Sequence, residues 1–421
     1  MPAALTATAA RSTILALKGE RPKRHFLLEK PPCRDEACLV SLRTETRQAV
    51  SLQPGIILRD ATKASTKFRS DYRGVKCRGR VPVRKMKRNA HWNIGRLWLL
   101  ALLWAGPALI HAQTCESAAD LDSQVRATLE NTARKYFDMA AKGDAAGLQQ
   151  NSIPAVASNF SGIEVAVKDN QPAFAQAQGS VRSAYLLTAE GKEPLARAEF
   201  LCGVFGSTGQ TSGSSVFVLN NLPPGKYGVV ILDAKGSTDA HTLTLILQEV
   251  GSDWKLGGFF ARPAQLNGHD SNWFAQRARE FKSKGQNRNA WFYFREAIAL
   301  QAPADFVSTL ATDRLYDEAQ SVQPTDLPIS SNTVDLAVGT TTYKLTSSFP
   351  LAVGKEFDLV VRYQAADVSN TLQTFQANMA VIKALVAKYP EFRDAFDGVV
   401  ARAVEPSGRD YGAMLPMKEI K

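Results

Sequence analysis

The amino-acid sequence predicts an α+β fold class: helices on a curved antiparallel sheet, a helical hairpin, and a small C-terminal α+β domain. Three observations predict it. Apolar residues recur at helical spacing from Ala119 to Ala140, and five short strand-like runs bounded by turn residues then fill Ala196 to Ala261. Helical spacing returns after Asp270, before a last group of strands built around one amphipathic helix.

Residues 1–85 hold 19 Lys and Arg against 7 Asp and Glu and lack periodic apolar runs, the composition of a disordered basic leader. A second account, the one preferred, leaves them untranslated, because MKRNAHWNIGRLWLLALLWAG reads as a complete bacterial signal peptide starting at Met86. On it Cys33, Cys38 and Cys77 are irrelevant, and the Cys33 and Cys38 pair has no second half to make a zinc site.

Residues 86–112 are the signal peptide. Lys87, Arg88 and Arg96 supply its positive charge, Gly106 and Pro107 break its helix, and Ile110-His111-Ala112 precedes cleavage at Gln113. The apolar run Leu97 to Ile110 is 14 residues, short of the roughly 20 that span a bilayer. Left uncleaved it becomes a membrane anchor, the chain's one membrane contact being residues 97–110. The expected location is therefore exported, periplasmic or cell-envelope, with membrane anchoring as the alternative.

Gln113 to Lys421 carries 29 basic and 33 acidic side chains, so the overall charge of +11 belongs to the leader. Nucleic acid is excluded as a partner of this region. Its two cysteines, Cys115 and Cys202, leave two options open. An exported chain permits their disulfide; alternatively Cys202, inside the apolar run Phe200 to Phe205, is simply buried. Thr114-Cys115 makes a poor lipidation site.

Residues 113–264 form the first domain. Val125, Leu129, Ala133, Phe137 and Ala140 define a helix stopped at Gly143, and a shorter helix covers Ala145 to Gln150 before Pro154. The alternation of Ile163, Val165 and Val167 predicts a short strand. Ala196 to Gly206 reads as a strand, Gly206 to Ser215 as a flexible connection too small and polar to pack, and Ser215–Leu219, Tyr227–Ala234, Thr242–Val250 and Trp254–Ala261 as strands. The short links between these strands predict an antiparallel curved meander.

Helices, then strands closing on Trp-Lys-Leu-Gly-Gly-Phe-Phe, resemble the nuclear-transport-factor-2-like superfamily over about Asp120 to Pro263. The resemblance implies a cone-like α+β domain with a pocket, suited to a small apolar ligand. It also implies where an enzyme of this superfamily would place pocket residues: Tyr136, Asp138 and Tyr185 are the candidates here.

Residues 265–322 are a helical segment. Phe274, Ala278, Phe281, Gly285, Ala290, Phe294 and Ala297 resemble one tetratricopeptide repeat, departing from it at Arg277 and at Pro303. A single repeat-like helical hairpin follows, extended by a helix near Phe306 to Gln320. The resemblance implies a protein or peptide partner. Residues 323–334 have a linker's Pro and Ser content, and residues 335–421 form a small α+β domain. Its strands are Thr341–Ser347, Glu356–Tyr363, Gly398–Val404 and Ala413–Glu419. Its helix, Leu372 to Val386, aligns Leu372, Phe375, Met379, Ile382 and Val386 on one stripe, read first as core and second as a docking face.

Chemistry is sparse. His241 near Asp239 in a polar loop reads as a solvated pair, and Asp270 beside His269 as a helix cap. No metal-ligand spacing, cofactor loop or nucleophile motif occurs, and Gly206 to Ser215 opens no helix that would aim its amides at a phosphate. Trp254, Trp273 and Trp291 read as packing anchors, of which an exposed one would mark a binding surface. The expected function is exported binding or scaffolding, without catalytic residues, metal or cofactor. The alternative is a small-molecule isomerase, dehydratase or hydrolase using the first domain's pocket.

Overall fold

The computed structural model describes residues 113–421 apart from 208, 237–239 and 330–331. The expected leader, the signal segment 86–112 with its run 97–110, Cys33, Cys38, Cys77 and Asp239 lie outside the described residues. Among the described residues no helix is long and apolar enough to cross a membrane.

The fold is mixed α and β with antiparallel sheets. Strand β1 (Gln113–Ser117) leads into α1 (Ser123–Ala141), capped by the Asp122 carboxylate accepting from Gln124 N and Val125 N. Leu129, Ala133, Tyr136, Phe137 and Ala140 form its buried stripe, and Gly143 ends the turn with φ +72°. Then come α2 (Ala145–Gln150), α3 (Pro154–Ala157) and α4 (Ser161–Ala175).

The strand expected at Ile163 to Val167 is part of α4. Its alternation spans too few residues to outweigh the longer helical spacing: Val167 and Phe174 are buried, whereas Val165 is 55% exposed. Tertiary context decides such short runs.

Nine strands follow: β2 (Ala177–Ala189), β3 (Leu195–Cys202), β4 (Phe205–Gly206), β5 (Gly209–Gln210), β6 (Ser215–Leu222), β7 (Gly225–Gly236), β8 (His241–Val250), β9 (Asp253–Pro263) and β10 (Gln265–Leu266). They do not make one meander. Strands β1, β2, β7, β8 and β9 form one sheet in the order β1-β2-β7-β8-β9, while β3 and β6 pair in a second sheet. The link between β6 and β7 changes sheets because Asn221 takes φ 50° and Pro223 and Pro224 offer no N–H to a hairpin ladder.

The larger sheet is covered on both faces, which explains the unbroken apolar run of β7. Val230, Leu232, Leu243, Leu245 and Phe259 meet α1 and α4 on one side, whereas Val229 and Ile246 meet Phe200, Phe217 and Leu219 of the smaller sheet on the other. Cys115 on β1 and Cys202 on β3 are joined in a disulfide, their Cα atoms 5.1 Å apart. The connection Gly206 to Ser215, expected to be loose, is anchored. Gln210 Nε2 donates to Ser308 Oγ and Asp313 Oδ2, and Ser214 and Ser215 are buried.

Strand β11 (His269–Asp270) leads into α5 (Ser271–Ser283), capped by Asp270. Lys284-Gly285-Gln286 connects it to α6 (Asn287–Gln301), with Gly285 at φ +76°. Phe274, Ala278, Phe281, Ala290, Phe294 and Ala297 are all buried, small residues allowing close approach and aromatics filling the groove. The expected helix from Phe306 begins later, because Val307–Thr309 is a strand, β12, added to β6 of the smaller sheet; α7 is Leu310–Gln320.

Residues 323–329 of the expected linker are packed rather than solvated: Leu327 and Ile329 are buried, and Asp326 bonds Arg288 of α6. Beyond it β13 (Val334–Val338), β14 (Thr341–Val353), β15 (Glu356–Gln364), β16 (Gly398–Val404) and β17 (Asp410–Pro416) form one sheet in chain order. Helix α8 (Thr371–Lys388) connects β15 to β16, the parallel pair of this sheet. β13 and this parallel crossover are additions to the expected domain.

The α8 stripe is rotated from its expected position. Ile382 and Val386 are buried, but Leu372 and Phe375 are 68% and 43% exposed, and Asn378 takes an inward position by accepting from the Tyr363 hydroxyl and donating to Tyr411 O. One apolar cluster runs from Phe274 through α6 and α7 to Ile420, so α5 and α6 share their core with the C-terminal sheet.

Candidate functional site

The three pocket residues implied by superfamily resemblance do not converge. Tyr136 is 2% exposed on α1, with its hydroxyl 3.0 Å from Trp254 O and 3.2 Å from Asn151 O. Burial pushes it up to about 12, followed by the charge of Asp253, so it is a protonated core donor at neutral pH. Asp138 is exposed to solvent. Tyr185 belongs to the other face of the sheet, edge-on to Phe217 and 3.2 Å from Ser215 Oγ.

His241 opens β8 with its ring edge-on to Phe174. Among the described residues no group of His, Cys, Asp and Glu could hold a metal ion.

The residues that do converge lie elsewhere, around an open cleft of about 1010 Å³ between α5 and the C-terminal sheet. Its floor is aromatic: Phe274, Tyr293, Phe357 and Phe396 pack with ring centroids 5.4–6.5 Å apart. At its mouth the His269 ring stacks on the Trp273 indole, 3.8 Å between centroids and 11° from parallel. Asp270 sets this geometry by capping α5, which places His269 and Trp273 one turn apart. Trp273 remains 38% exposed, whereas Trp291 is buried and Trp254 packs against the first core.

The polar lining balances. Arg277, Lys355 and Arg393 face Glu280, Asp394 and Asp397. Most are held locally: Arg277 bonds Glu280 at 2.8 Å, Asp394 accepts from Gln286 at 2.6 Å, Asp397 accepts from Phe357 N at 2.7 Å, and Arg393 donates to Ile420 O at 2.8 Å. The buried Tyr293 hydroxyl donates to Ala395 O at 2.8 Å and is pushed up to about 12, mainly by desolvation. Such a cleft offers one exposed indole, Trp273, above floor rings that are themselves buried, and a neutral, hydrogen-bonded rim. It offers no nucleophile beside a base.

Sequence reasoning singled out Trp273 and His269 separately but not their cleft, because Lys355, Phe357 and Arg393 to Asp397 come from segments remote in the chain. The usable signal was His269 four residues before Trp273 across a helix cap. The chain matches no known protein family, no curated protein and no solved structure.

Proposed function

We propose that this chain is an exported, cell-envelope binding or scaffolding protein that takes an extended protein or peptide segment in the cleft beside Trp273. The observation that carries the reading is the exposed Trp273 indole, stiffened by the His269 ring at the mouth of an aromatic-floored cleft. A rigid, partly exposed tryptophan is the type of anchor that dominates interface energies. The balanced rim suits a segment presenting backbone amides and an apolar anchor, since no single-sign field is available for a strongly charged ligand.

In this reading α5 and α6 are a repeat-like helical hairpin presenting the partner site. Residues 113–264 are a cone-like domain of the nuclear-transport-factor-2-like kind, serving as scaffold. Export is supported by the pairing of Cys115 with Cys202, a linkage favoured in oxidising compartments, close behind the cleavage site expected before Gln113. The enzyme alternative loses support from the separation of Tyr136, Asp138 and Tyr185.

The reading is tested by selecting displayed random peptides on the purified protein. Enrichment of sequences carrying an apolar anchor, competed away by free peptide and lost on Trp273→Ala, is the expected result. Enrichment that survives this substitution would place the binding surface elsewhere.

A further inference from the structure

The C-terminal sheet has two faces, and the helices cover one. Phe357, Leu359, Val361 and Tyr363 of β15, with Val399, Ala401 and Ala403 of β16, belong to the core shared with α8, α5 and α6. The alternate residues point the other way. On that second face the register brings Ser347 of β14, Arg362 of β15, Arg402 of β16 and Gly412 of β17 into one row. Because β15 and β16 pair in parallel with Arg362 opposite Arg402, two arginines stand together on neighbouring strands.

The two arginines differ in what they hold. Arg402 donates from Nε and Nη2 to one oxygen of Asp410, at 2.9 and 2.5 Å, which leaves its Nη1 uncommitted. Arg362 lies over the Phe349 ring at 5.4 Å, and its buried Nε has no hydrogen-bond partner among the described residues. No carboxylate among them bonds its terminal nitrogens either. Burial, followed by the charge of Arg402, holds the Arg362 guanidinium below its usual range, while Asp410 pulls the other way. One carboxylate therefore serves two cations, and the row keeps one positive charge partly withdrawn from water, a costly state for an unpaired ion. Beside Arg362 the Ser347 hydroxyl has no partner among the described residues. Beside Arg402 the absent side chain of Gly412 supplies room, since a Cβ there would lie 3.2 Å from Arg402 Cγ. The Arg402 and Asp410 side chains are 23% and 28% exposed, so solvent reaches the row.

We propose that this row is an anion site that takes a phosphate group, as the free ion or as a monoester. The terminal nitrogens of Arg362 hold the anion, and Arg402 Nη1 and the Ser347 hydroxyl donate to its remaining oxygens. Neighbouring strands lie about 4.8 Å apart, a spacing that a tetrahedral anion bridges by giving separate oxygens to separate strands. A carboxylate matches one guanidinium fork but has no third oxygen for the other strands. Asp410 is the built-in competitor, because it occupies Arg402 and weakens the positive field. The site lies on the face opposite the Trp273 cleft and does not depend on peptide binding there.

Calorimetric titration of the full chain at low salt with inorganic phosphate, and in a second arm with glycerol phosphate, tests this. The wild type is expected to bind with a dissociation constant on the order of a millimolar, weakened by added salt because the row is part-exposed. Arg362→Met, which keeps a stem over Phe349, is expected to lose affinity at least tenfold. Ser347→Ala is expected to lose a few-fold. Asp410→Asn is expected to gain a few-fold by releasing Arg402, a rise that a merely structural role would not produce. Equal binding of both probes assigns the site to phosphate esters, and binding of inorganic phosphate alone assigns it to the free ion. A wild type that binds neither probe overturns the proposal, as does affinity left unchanged by Arg362→Met. Circular dichroism checks each variant's fold; where Arg362→Met is unfolded, unchanged affinity in both Ser347→Ala and Asp410→Asn overturns the proposal instead.

Discussion

Cys115 and Cys202 join strand β1, at the edge of the five-stranded sheet, to strand β3 of the smaller sheet, tying together the two layers that enclose Phe200, Phe217 and Tyr227. Gln113 reinforces the same seam by accepting from Glu199 N at 2.7 Å. The bridge spans 87 positions of sequence, so loop-closure entropy alone assigns it about 4–5 kcal/mol. Cys115→Ser with Cys202→Ser is expected to lower the thermal midpoint by several degrees. A reductant is expected to do the same to the wild type and nothing further to the double variant. An unchanged midpoint in both would remove the bridge from the stability of this layer pair.

The pH dependence of stability has a definite sign. The mostly buried Glu296 carboxyl on α6 is pushed up to about 7 by desolvation, with Arg295 beside it pulling the other way. Asp358 is pushed up to about 6, by burial first and then by the charges of Glu356 and Asp397. Both folded values lie above the unfolded ones, so the native state retains protons that the unfolded chain has released. Their stabilising effect is complete only below the ordinary carboxyl values of 3.8 and 4.5 and is lost progressively as pH rises from there to about 6 to 7. Glu296→Gln is expected to flatten this fall and to raise stability at pH 8 by roughly 1–3 kcal/mol. Urea unfolding at pH 5 and pH 8 measures it, and an unaltered difference between the two would contradict it.

Much of the fold was legible where one period dominates a long segment. Leu129 to Ala140 announced α1, and the run Trp254 to Ala261 announced the closing strand, which extends to Asp253–Pro263. Short runs misled: Ile163, Val165 and Val167 alternate like a strand, yet only the wider spacing to Phe174 reveals the helical face. On α8 the polar Asn378 occupies a core position because Tyr363 and Tyr411 satisfy it, and this partnership rotates Leu372 and Phe375 outward. No local pattern contains that information. The cleft was least legible of all, since its walls meet through tertiary packing of α5 against the turn at Gly354 and the segment Arg393–Asp397.

Tyr136 separates the structural from the catalytic reading of the first domain. Its hydroxyl, buried between Asn151 O and Trp254 O, ties α1 to β9 and to the end of α2. Tyr136→Phe is expected to destabilise the chain by about 1–2 kcal/mol and to leave peptide binding at the Trp273 cleft intact. Thermal unfolding together with a binding titration checks both halves.

Arg288 anchors the packed segment between α7 and β13. It bonds Asp326 and, at 2.6 Å, Glu391, and lies 4.6 Å over the Tyr389 ring, so one guanidinium connects α6, the 323–334 segment and the turn after α8. The same contacts hold the Asp326 carboxyl below its usual range. Arg288→Met keeps the stem packing but strands two carboxylates, and is expected to cost roughly 1–3 kcal/mol. Proteolysis near residues 323–334 should accelerate in this variant; unchanged resistance would show that Leu327 and Ile329 hold the segment without the ion pairs.

The central claim is that Trp273 is the anchor of a peptide-binding cleft, and calorimetric titration of one selected peptide against wild type and Trp273→Ala tests it most directly. The account predicts micromolar affinity for the wild type, a loss of at least tenfold in the variant, equivalent to about 1.4 kcal/mol or more, and nearly equal thermal midpoints, because the indole is partly exposed. Equal affinities for the two proteins, with both folded, would contradict it.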